Sequence, residues 1–244
     1  MPETSPDGLT EDGLLGGKVR LRQPRHGYRA AIDPVLLAAA VDAHPGQRVL
    51  DLGTGAGAAA LCLMARIDGL SVVGLELDAE TAELARQNAG LNGRAGFAVR
   101  SGDVRAPPAD LRGFDHAIAN PPYLEPGRAD PSPDAGRRRS NVDEAGLDAW
   151  IDAAMRAAAP SGIVTVIQRA DRLADLLAAL GNRGALTVVP IWPRAGEAAT
   201  RVIVRAQLGR RTALRLLPGL VLHEGQRYSA AADAVLRGAA LDFD

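Results

Sequence analysis

The feature that most constrains the fold is the alternation of apolar strands with helical stretches between residues 46 and 206. Two parallel strands need a crossover of about a dozen residues, and the spacing here fits such βαβ units. Strands are predicted at 48–52, 72–75, 97–100, 115–119, 163–167, 186–191 and 201–206, and helices at 56–66, 79–92, 147–158 and 172–180. The pattern predicts the α/β class, with a seven-stranded Rossmann-like sheet that carries helices on both faces.

Shorter segments flank this core. Residues 1–13 are rich in proline and acidic residues, so we expect a disordered tail there. Residues 14–22 predict a β-hairpin around a Gly-Gly pair, and Asp33 followed by Pro34 predicts the N-cap and first residue of a helix. We assign one domain to residues 14–244, with the hairpin and helix at 14–45, the core at 46–208 and a C-terminal strand and helix at 209–244.

Composition argues against several functional classes. Cys62 is the only cysteine and lies in an apolar helical stretch, so cysteine-based redox chemistry is not expected. The four histidines show no ligand spacing, and we expect no metal. No apolar run reaches the roughly 18 residues of a membrane helix, and we expect a cytoplasmic protein. The net charge of −1 provides no overall attraction to nucleic acid.

A glycine-rich turn follows the first core strand and opens the next helix. Glycine lets the chain turn sharply and lets a ligand approach the main chain without meeting a Cβ. Such a turn is typical of a nucleotide site, to which we assign Gly53, Thr54, Gly55 and Gly57. The turn alone does not identify the nucleotide, because the same glycine pattern also fits dinucleotide cofactors.

Asp51 and Asp103 favour S-adenosylmethionine as the cofactor, whereas an acid at the position of Glu76 occurs with both types of nucleotide. Glu76, at the end of the second core strand, would hold both ribose hydroxyls with its two carboxylate oxygens. Asp103, after the third strand, would accept a hydrogen bond from the adenine amine, and Asp51 would lie near the methionine ammonium. We assign the next residues along, Leu77 and Val104, to the same site. The alternative, that Glu76 and Asp103 are ordinary capping acids at strand ends, stays open.

The tetrapeptide Asn120-Pro121-Pro122-Tyr123 follows the fourth strand and is the most specific motif in the chain. Ligands of open α/β sheets sit outside the carboxyl ends of the strands, so the tetrapeptide and the glycine turn should face one crevice. The Asn120 side-chain oxygen and the Pro121 carbonyl can accept the two N–H groups of a planar nitrogen. Proline stiffens the loop, and Tyr123 offers a face for stacking. The motif predicts methyl transfer to a planar amide or amine nitrogen, with Asn120, Pro121, Pro122 and Tyr123 as catalytic residues and Asn120 also beside the cofactor.

The longest irregular segment covers residues 124–146, directly after the tetrapeptide, and is rich in proline, glycine and arginine. A loop of about 20 residues in a compact domain is usually functional or disordered. We expect a lid that grips the substrate, and a passive surface loop is the alternative. The substrate-binding residues assigned to it are Arg128, Arg137, Arg138 and Arg139.

Together these motifs resemble the class I methyltransferases of the amino-methylating NPPY group, and more narrowly the bacterial tRNA(Val) (adenine-37-N6)-methyltransferase family. The resemblance begins near residue 14 and also rests on residues 22–29, 32–37 and 222–228. It implies the class I sheet, S-adenosylmethionine as the cofactor and a tRNA substrate whose target adenine is flipped out against the tetrapeptide. It also implies that the segment from Gln23 to Arg29 closes over the methionine end of the cofactor, which adds Gln23, Tyr28 and Arg29 to the site.

Other functions stay open on the sequence alone. The same tetrapeptide acts on a glutamine amide in release-factor glutamine methyltransferases, although these typically carry an N-terminal helical domain. Base amines of ribosomal RNA or DNA are further acceptors, and the chain could bind the cofactor and RNA without catalysis. An NAD-dependent oxidoreductase is disfavoured because it would need a hydride-transfer pair such as tyrosine and lysine, and the only lysine, Lys18, lies in the predicted hairpin.

Overall fold

The computed structural model describes residues 8–25, 29–123 and 145–243. Its strands are β1 (Leu9–Leu14), β2 (Val19–Pro24), β3 (Arg48–Leu52), β4 (Ser71–Glu76), β5 (Phe97–Ser101), β6 (Phe114–Ala119), β7 (Ala158–Arg169), β8 (Gly184–Arg194), β9 (Arg201–Leu208), β10 (Arg215–Leu216), β11 (Leu220–Glu224) and β12 (Arg227–Tyr228). Its helices are α1 (Asp33–Ala39), α2 (Ala58–Arg66), α3 (Ala79–Leu91), α4 (Leu147–Ala157), α5 (Leu173–Leu180) and α6 (Ala230–Leu236). All predicted core strands and helices are present.

Strands β3 to β12 form one sheet in the order β5-β4-β3-β6-β7-β9-β8-β11-β12, with β10 also paired to β8. The strands from β5 to β7 in this order are parallel, and β9 lies antiparallel between β7 and β8. The predicted seven-stranded α/β sheet is confirmed. Within the described ranges, the C-terminal extension widens it to ten strands by adding β10, β11 and β12 beyond β8.

Helices cover both faces of the sheet, as predicted. One face packs against α1, α2, α3, α6 and β2, and the other against α4 and α5. In α2, every side chain from Ala58 to Met64 is buried, because the sheet lies on one side of this helix and α1 and β2 lie on the other. A helix that is apolar all round is stable only when it is enclosed in this way. The hairpin and α1 therefore complete the core on this face.

The hairpin of β1 and β2 docks on α3 through two asparagine side chains. Asn88 accepts from the backbone N–H of Arg22 (2.9 Å) and donates to its carbonyl (2.8 Å). Asn92 makes the same two bonds with Arg20 (2.9 and 2.7 Å). Four residues of helix rise about 6.0 Å and two residues of strand about 6.6 Å, so the two repeats match. Asn88 also donates to the carbonyl of Ala56 (2.9 Å), which ties the hairpin to the glycine turn.

The prediction of a disordered tail at residues 1–13 is wrong for its last five residues, which belong to β1. Their acidic side chains face arginines in the folded chain: Glu11 pairs with Arg20 (2.6 Å), and Asp12 pairs with Arg29 (2.6 Å). Opposite charges placed across two strands stabilise the pairing. Glu11 and Asp12 therefore belong to one strand of a hairpin. Residues 1–7 of the predicted tail lie outside the described ranges.

The predicted capping role of Asp33 is also wrong. Ile32 occupies the N-cap position of α1 with helical φ and ψ, and its apolar side chain makes no capping hydrogen bond. Asp33 is the first helical residue, is only 5% exposed, and directs its carboxylate away from the helix N–H groups toward other side chains. Pro34 does stand in the first turn, as predicted. At the other end of the chain, Ser229 caps α6 by accepting from the backbone N–H of Ala232 (3.1 Å).

The described ranges contain no helix with the length and apolar character to cross a membrane. They also contain no group of three His, Cys, Asp or Glu side chains arranged to hold a metal ion. Cys62 is buried in α2, and burial raises the pKa of its thiol to about 12. The thiol is therefore protonated at neutral pH and acts as a small apolar side chain.

Candidate functional site

The carboxyl ends of β3 and β6 lie side by side in the middle of the sheet. Leu52 of β3 is in register with Ala119 of β6, and the glycine turn and Asn120 each begin one residue later. Neighbouring strands are about 4.8 Å apart, so the two motifs start one strand spacing from each other. Chain order also reverses between these strands, which is where an open α/β sheet leaves a ligand crevice. The structure brings both predicted motifs to one crevice.

The three glycines of the turn have different structural reasons, although all have positive φ. A Cβ on Gly53 would lie 2.5 Å from the Trp150 ring, and a Cβ on Gly57 would lie 2.9 Å from the Phe97 ring. A Cβ on Gly55 would meet nothing within 4 Å. The expectation that the glycines leave the main chain open to a ligand therefore holds for Gly55, whereas Gly53 and Gly57 make room for aromatic side chains.

Below the turn, Asp51 is buried at the end of β3. The Thr54 hydroxyl donates to its carboxylate (2.7 Å), and burial raises the pKa of Asp51 to about 7. Gly74 of β4 is required here as well, since a Cβ on it would lie 2.6 Å from the Thr54 methyl carbon. The site therefore contains a carboxyl group that changes charge near neutral pH.

Glu76 is held against the glycine turn at the end of β4. One carboxylate oxygen accepts from the backbone N–H of Gly55 (2.9 Å) and the other from that of Asp78 (3.0 Å). Burial raises the pKa of Glu76, and these two hydrogen bonds oppose the rise. Each oxygen has a second lone pair, so a fixed carboxylate keeps acceptor capacity toward the crevice. Leu77, the next residue, is 65% exposed and presents an apolar surface to solvent beside this carboxylate.

Asp103 and Val104 follow β5. Arg105 donates to the Asp103 carboxylate from its side chain (2.8 and 2.6 Å) and its backbone N–H (2.8 Å), and the side-chain bonds lower the pKa of Asp103. Exposed ion pairs of this kind contribute about 0–1 kcal/mol, so a ligand amine could replace Arg105 at small cost. The Val104 side chain is buried in the core on the α4 face, and its predicted contact with the cofactor stays a prediction.

The tetrapeptide is anchored from two other parts of the chain. Pro121 is buried, and the Tyr123 hydroxyl donates to one carboxylate oxygen of Asp33. The Nε atom of Arg201, at the start of β9, lies against the other oxygen of Asp33. Sequence analysis missed both partners, because they lie 90 and 168 residues from their contacts and no local pattern marks them.

Gln23 and Arg29 lie at the junction of the hairpin with α1. The buried Gln23 amide donates to Asp12 (2.8 Å) and accepts from the backbone N–H of Ala30 (2.8 Å). Arg29 donates to Thr10 (2.6 Å) and to Asp12 (2.6 Å). These bonds hold the hairpin to the start of α1, and the predicted contact of both residues with the cofactor stays a prediction. Tyr28, Arg128, Arg137, Arg138 and Arg139 lie outside the described residues.

Comparison with known proteins gives a consistent result. The family model of the methyltransferase small domain matches residues 31–132 of the chain. A tRNA1(Val) (adenine(37)-N6)-methyltransferase of Dickeya chrysanthemi is 29% identical over 87% of this chain and 88% of its own length. Its counterpart from Salmonella arizonae is 36% identical, but the chain spans only about half of that relative. The resemblance seen in the sequence is confirmed.

A solved structure extends the comparison to almost the whole fold. A predicted O-methyltransferase, protein Atu636 from Agrobacterium tumefaciens, is 30% identical, and the match covers 86% of this chain and 98% of that chain with a TM-score of 0.72. The likeness in sequence and fold therefore extends over nearly the full length of that chain. The chain therefore belongs to the class I methyltransferases.

Proposed function

We propose that the chain transfers a methyl group from S-adenosylmethionine to the exocyclic N6 amine of an adenine in tRNA. The observation that carries the proposal is the position of Asn120-Pro121-Pro122-Tyr123, one strand spacing from a glycine turn at the switch point of the sheet. One motif fits an acceptor nitrogen and the other fits a nucleotide. Methyl transfer is the reaction in which the two must meet.

The residues around the turn fit S-adenosylmethionine. Glu76 would accept from the ribose hydroxyls while it keeps its bonds to Gly55 and Asp78. The exposed Leu77 would contact the adenine ring, and Asp103 would accept from the adenine amine in place of Arg105. Asp51 would lie toward the methionine ammonium, which favours the ionised carboxylate. The bound cofactor supplies an electrophilic methyl group on a positively charged sulfur.

The tetrapeptide would prepare the acceptor nitrogen. The lone pair of an exocyclic amine is delocalised into the ring, so the amine is a weak nucleophile. The Asn120 side-chain oxygen and the Pro121 carbonyl would accept its two N–H groups and favour a geometry in which the lone pair points toward the methyl carbon. The Tyr123 ring would stack on the base. The acceptor nitrogen would form its new bond to the methyl carbon as the carbon–sulfur bond breaks, and it would release one proton to solvent water. Alignment carries most of the rate in such a step.

A tRNA acceptor is proposed because the relatives from Dickeya chrysanthemi and Salmonella arizonae are named for adenine 37 of tRNA1(Val). Such a substrate would place the protein in the cytoplasm. Since the net charge is only −1, phosphate contacts would have to be local, and we propose the arginines of the 124–146 segment for them.

An oxygen acceptor is the second candidate, because Atu636 is titled a predicted O-methyltransferase. The test is methylation of an anticodon stem-loop RNA of tRNA1(Val), followed by nucleoside analysis. We expect N6-methyladenosine from the adenine at position 37. The matched control RNA carries purine riboside at that position, which lacks only the exocyclic amine, and its labelling should fall to background.

Two outcomes would contradict the proposal. Label on the 2′-oxygen, which the control RNA would also accept, would establish an O-methyltransferase. If total cell protein is added to the assay, label recovered only in that protein would indicate that the acceptor is a side-chain amide such as that of glutamine. The isomers N6-methyladenosine and 2′-O-methyladenosine have equal mass and are separated by whether the methyl group stays with the base on fragmentation.

A further inference from the structure

Asp33 contacts Tyr123 of the tetrapeptide, although it belongs neither to this motif nor to the glycine turn. Asp33 is nearly fully buried at the start of α1, yet it does not cap that helix. One carboxylate oxygen accepts from the Tyr123 hydroxyl, and Arg201 lies against the other. A buried carboxylate is costly unless its charge is compensated. Here one oxygen accepts a hydrogen bond from Tyr123, and the other lies in an ion pair with Arg201 that includes no hydrogen bond.

The geometry holds the Tyr123 ring at both ends. The backbone at one end is fixed by Pro121 and Pro122, which restrict φ. The hydroxyl at the other end is fixed by Asp33, which α1 and Arg201 of β9 keep in place. A ring that must be ordered when the acceptor binds loses rotamer freedom at that step, whereas a ring already held does not.

We propose that Asp33 is a positioning residue for methyl transfer, which orients the Tyr123 ring beside Asn120 so that a planar acceptor stacks on a surface already in place. Arg201 completes the unit by holding Asp33. The inference rests on the proposed function, in which Tyr123 stacks on the acceptor. It adds Asp33, from the N-terminal part of the chain, and Arg201, from the C-terminal part, to the acceptor side of the site.

The chain offers a matched control for this ion pair. Asp42, just after α1, pairs with Arg205 of β9 (2.6 Å). This second pair joins the same two parts of the fold, four residues further along β9 and away from the tetrapeptide. Asp42→Asn and Asp33→Asn therefore each remove one charge from an ion pair with β9, although the Asp42 side chain is 57% exposed and that of Asp33 only 7%. Only Asp33→Asn removes an acceptor from Tyr123.

The test measures methyl transfer to the stem-loop RNA by the full-length chain. An amide is a weaker, neutral acceptor for Tyr123 and has no charge to pair with Arg201. Asp33→Asn should therefore lower kcat/KM about tenfold, with both a higher KM for RNA and a lower kcat, while cofactor affinity stays within about twofold. Asp42→Asn should leave these constants within about twofold of wild type. In a Tyr123→Phe background, Asp33→Asn should have no further effect, because no hydroxyl remains to be held.

A second measurement is independent of the acceptor. The chain has three tyrosines, so incorporation of 3-fluorotyrosine gives three fluorine resonances, and Tyr123→Phe identifies that of Tyr123. Asp33→Asn should shift or broaden this resonance, and Asp42→Asn should not. Equal losses of kcat/KM from Asp33→Asn in both backgrounds, or an unchanged resonance, would overturn the inference. If wild type fails to methylate the RNA but the resonance responds, the proposed function is wrong and the contact stands.

Discussion

The proposed cofactor side and the proposed acceptor side of the crevice are built in opposite ways. Asp51, the glycine turn and Glu76 all come from one βαβ unit, and the side-chain hydrogen bonds that join them to each other span at most 21 residues of sequence. The acceptor side joins Tyr123 to Asp33 and Arg201, which lie far apart in the chain. The cofactor side is therefore a local motif, whereas the acceptor side forms only when the whole domain has folded. Substitutions should separate the two.

The largest effect is expected from Asn120→Ala on the acceptor side. Loss of one positioned acceptor for the reacting amine should lower kcat by at least about a hundredfold. Cofactor affinity, measured by calorimetry, should stay within about twofold, because the glycine turn and Glu76 are untouched. A parallel loss of cofactor affinity would show that the two sides are one unit and would break the comparison.

Gly53→Ala should instead weaken the cofactor side of the site. The new Cβ would lie 2.5 and 2.7 Å from Trp150 ring carbons at a φ of +64°, so the turn or the ring must move. We expect cofactor affinity to fall about tenfold or more and the unfolding free energy to fall by roughly 1–3 kcal/mol.

Gly90→Ala is the control for this substitution. Gly90 lies within α3, where a Cβ would meet nothing within 4 Å, so alanine should stabilise the protein by about 0.5–1 kcal/mol. Gly53→Ala protein with cofactor affinity equal to that of Gly90→Ala would show that the turn is not part of the cofactor site.

The smallest effect concerns pH. Burial raises the pKa of Asp51 to about 7 in the protein without cofactor, so the carboxyl is mostly protonated at pH 6 and mostly ionised at pH 7.5. A cofactor ammonium favours the ionised form, and affinity should therefore rise several-fold from pH 6 to pH 7.5. Asp51→Asn should bind more weakly and lose this slope in calorimetry at both pH values. An equal slope in both proteins would assign the titration to another group.

The same raised pKa fixes the sign of the effect on stability. A carboxyl whose pKa is higher in the folded than in the unfolded protein stabilises the fold below about pH 4, and that contribution is lost as pH rises toward 7. Denaturation of the cofactor-free protein should show this decline, and Asp51→Asn should lack it. The cofactor would restore stability at neutral pH because it binds the ionised form.

The contrast between the two sides also explains what the sequence could predict. The strands and helices of the core were predictable because apolar periodicity is a local property. The position of Glu76 beside the glycine turn was predictable because it ends a recognisable strand. The structural reason for Gly53 was not, since the Trp150 ring that requires it comes from a helix on the opposite face. The role of Asp33 was misread for the same reason: Asp-Pro before an apolar run fits a helix cap, and only tertiary contacts redirect the carboxylate.

The acidic residues of β1 are a second case in which the sequence alone gave a wrong prediction. In sequence, Glu11 belongs to a polar run that resembles a solvated tail, but the strand opposite supplies Arg20 and Arg22. The acidic side chains of one strand indicate a hairpin only when the basic side chains of the strand opposite are known. Conversely, the seven-stranded topology was predictable because it needs only the order and type of elements.

The asparagines on α3 have a consequence for how the N-terminal part can change. Successive peptide groups of a strand point in opposite directions, so a shift of β2 by one residue would turn its amides away from Asn88. The buried carboxamide would then lose both bonds to Arg22 and keep only its bond to Ala56. Insertions between positions 20 and 22, or between 88 and 92, would unseat the hairpin. Transplanting this hairpin onto another member of the family therefore requires the recipient helix to carry the same four-residue asparagine spacing.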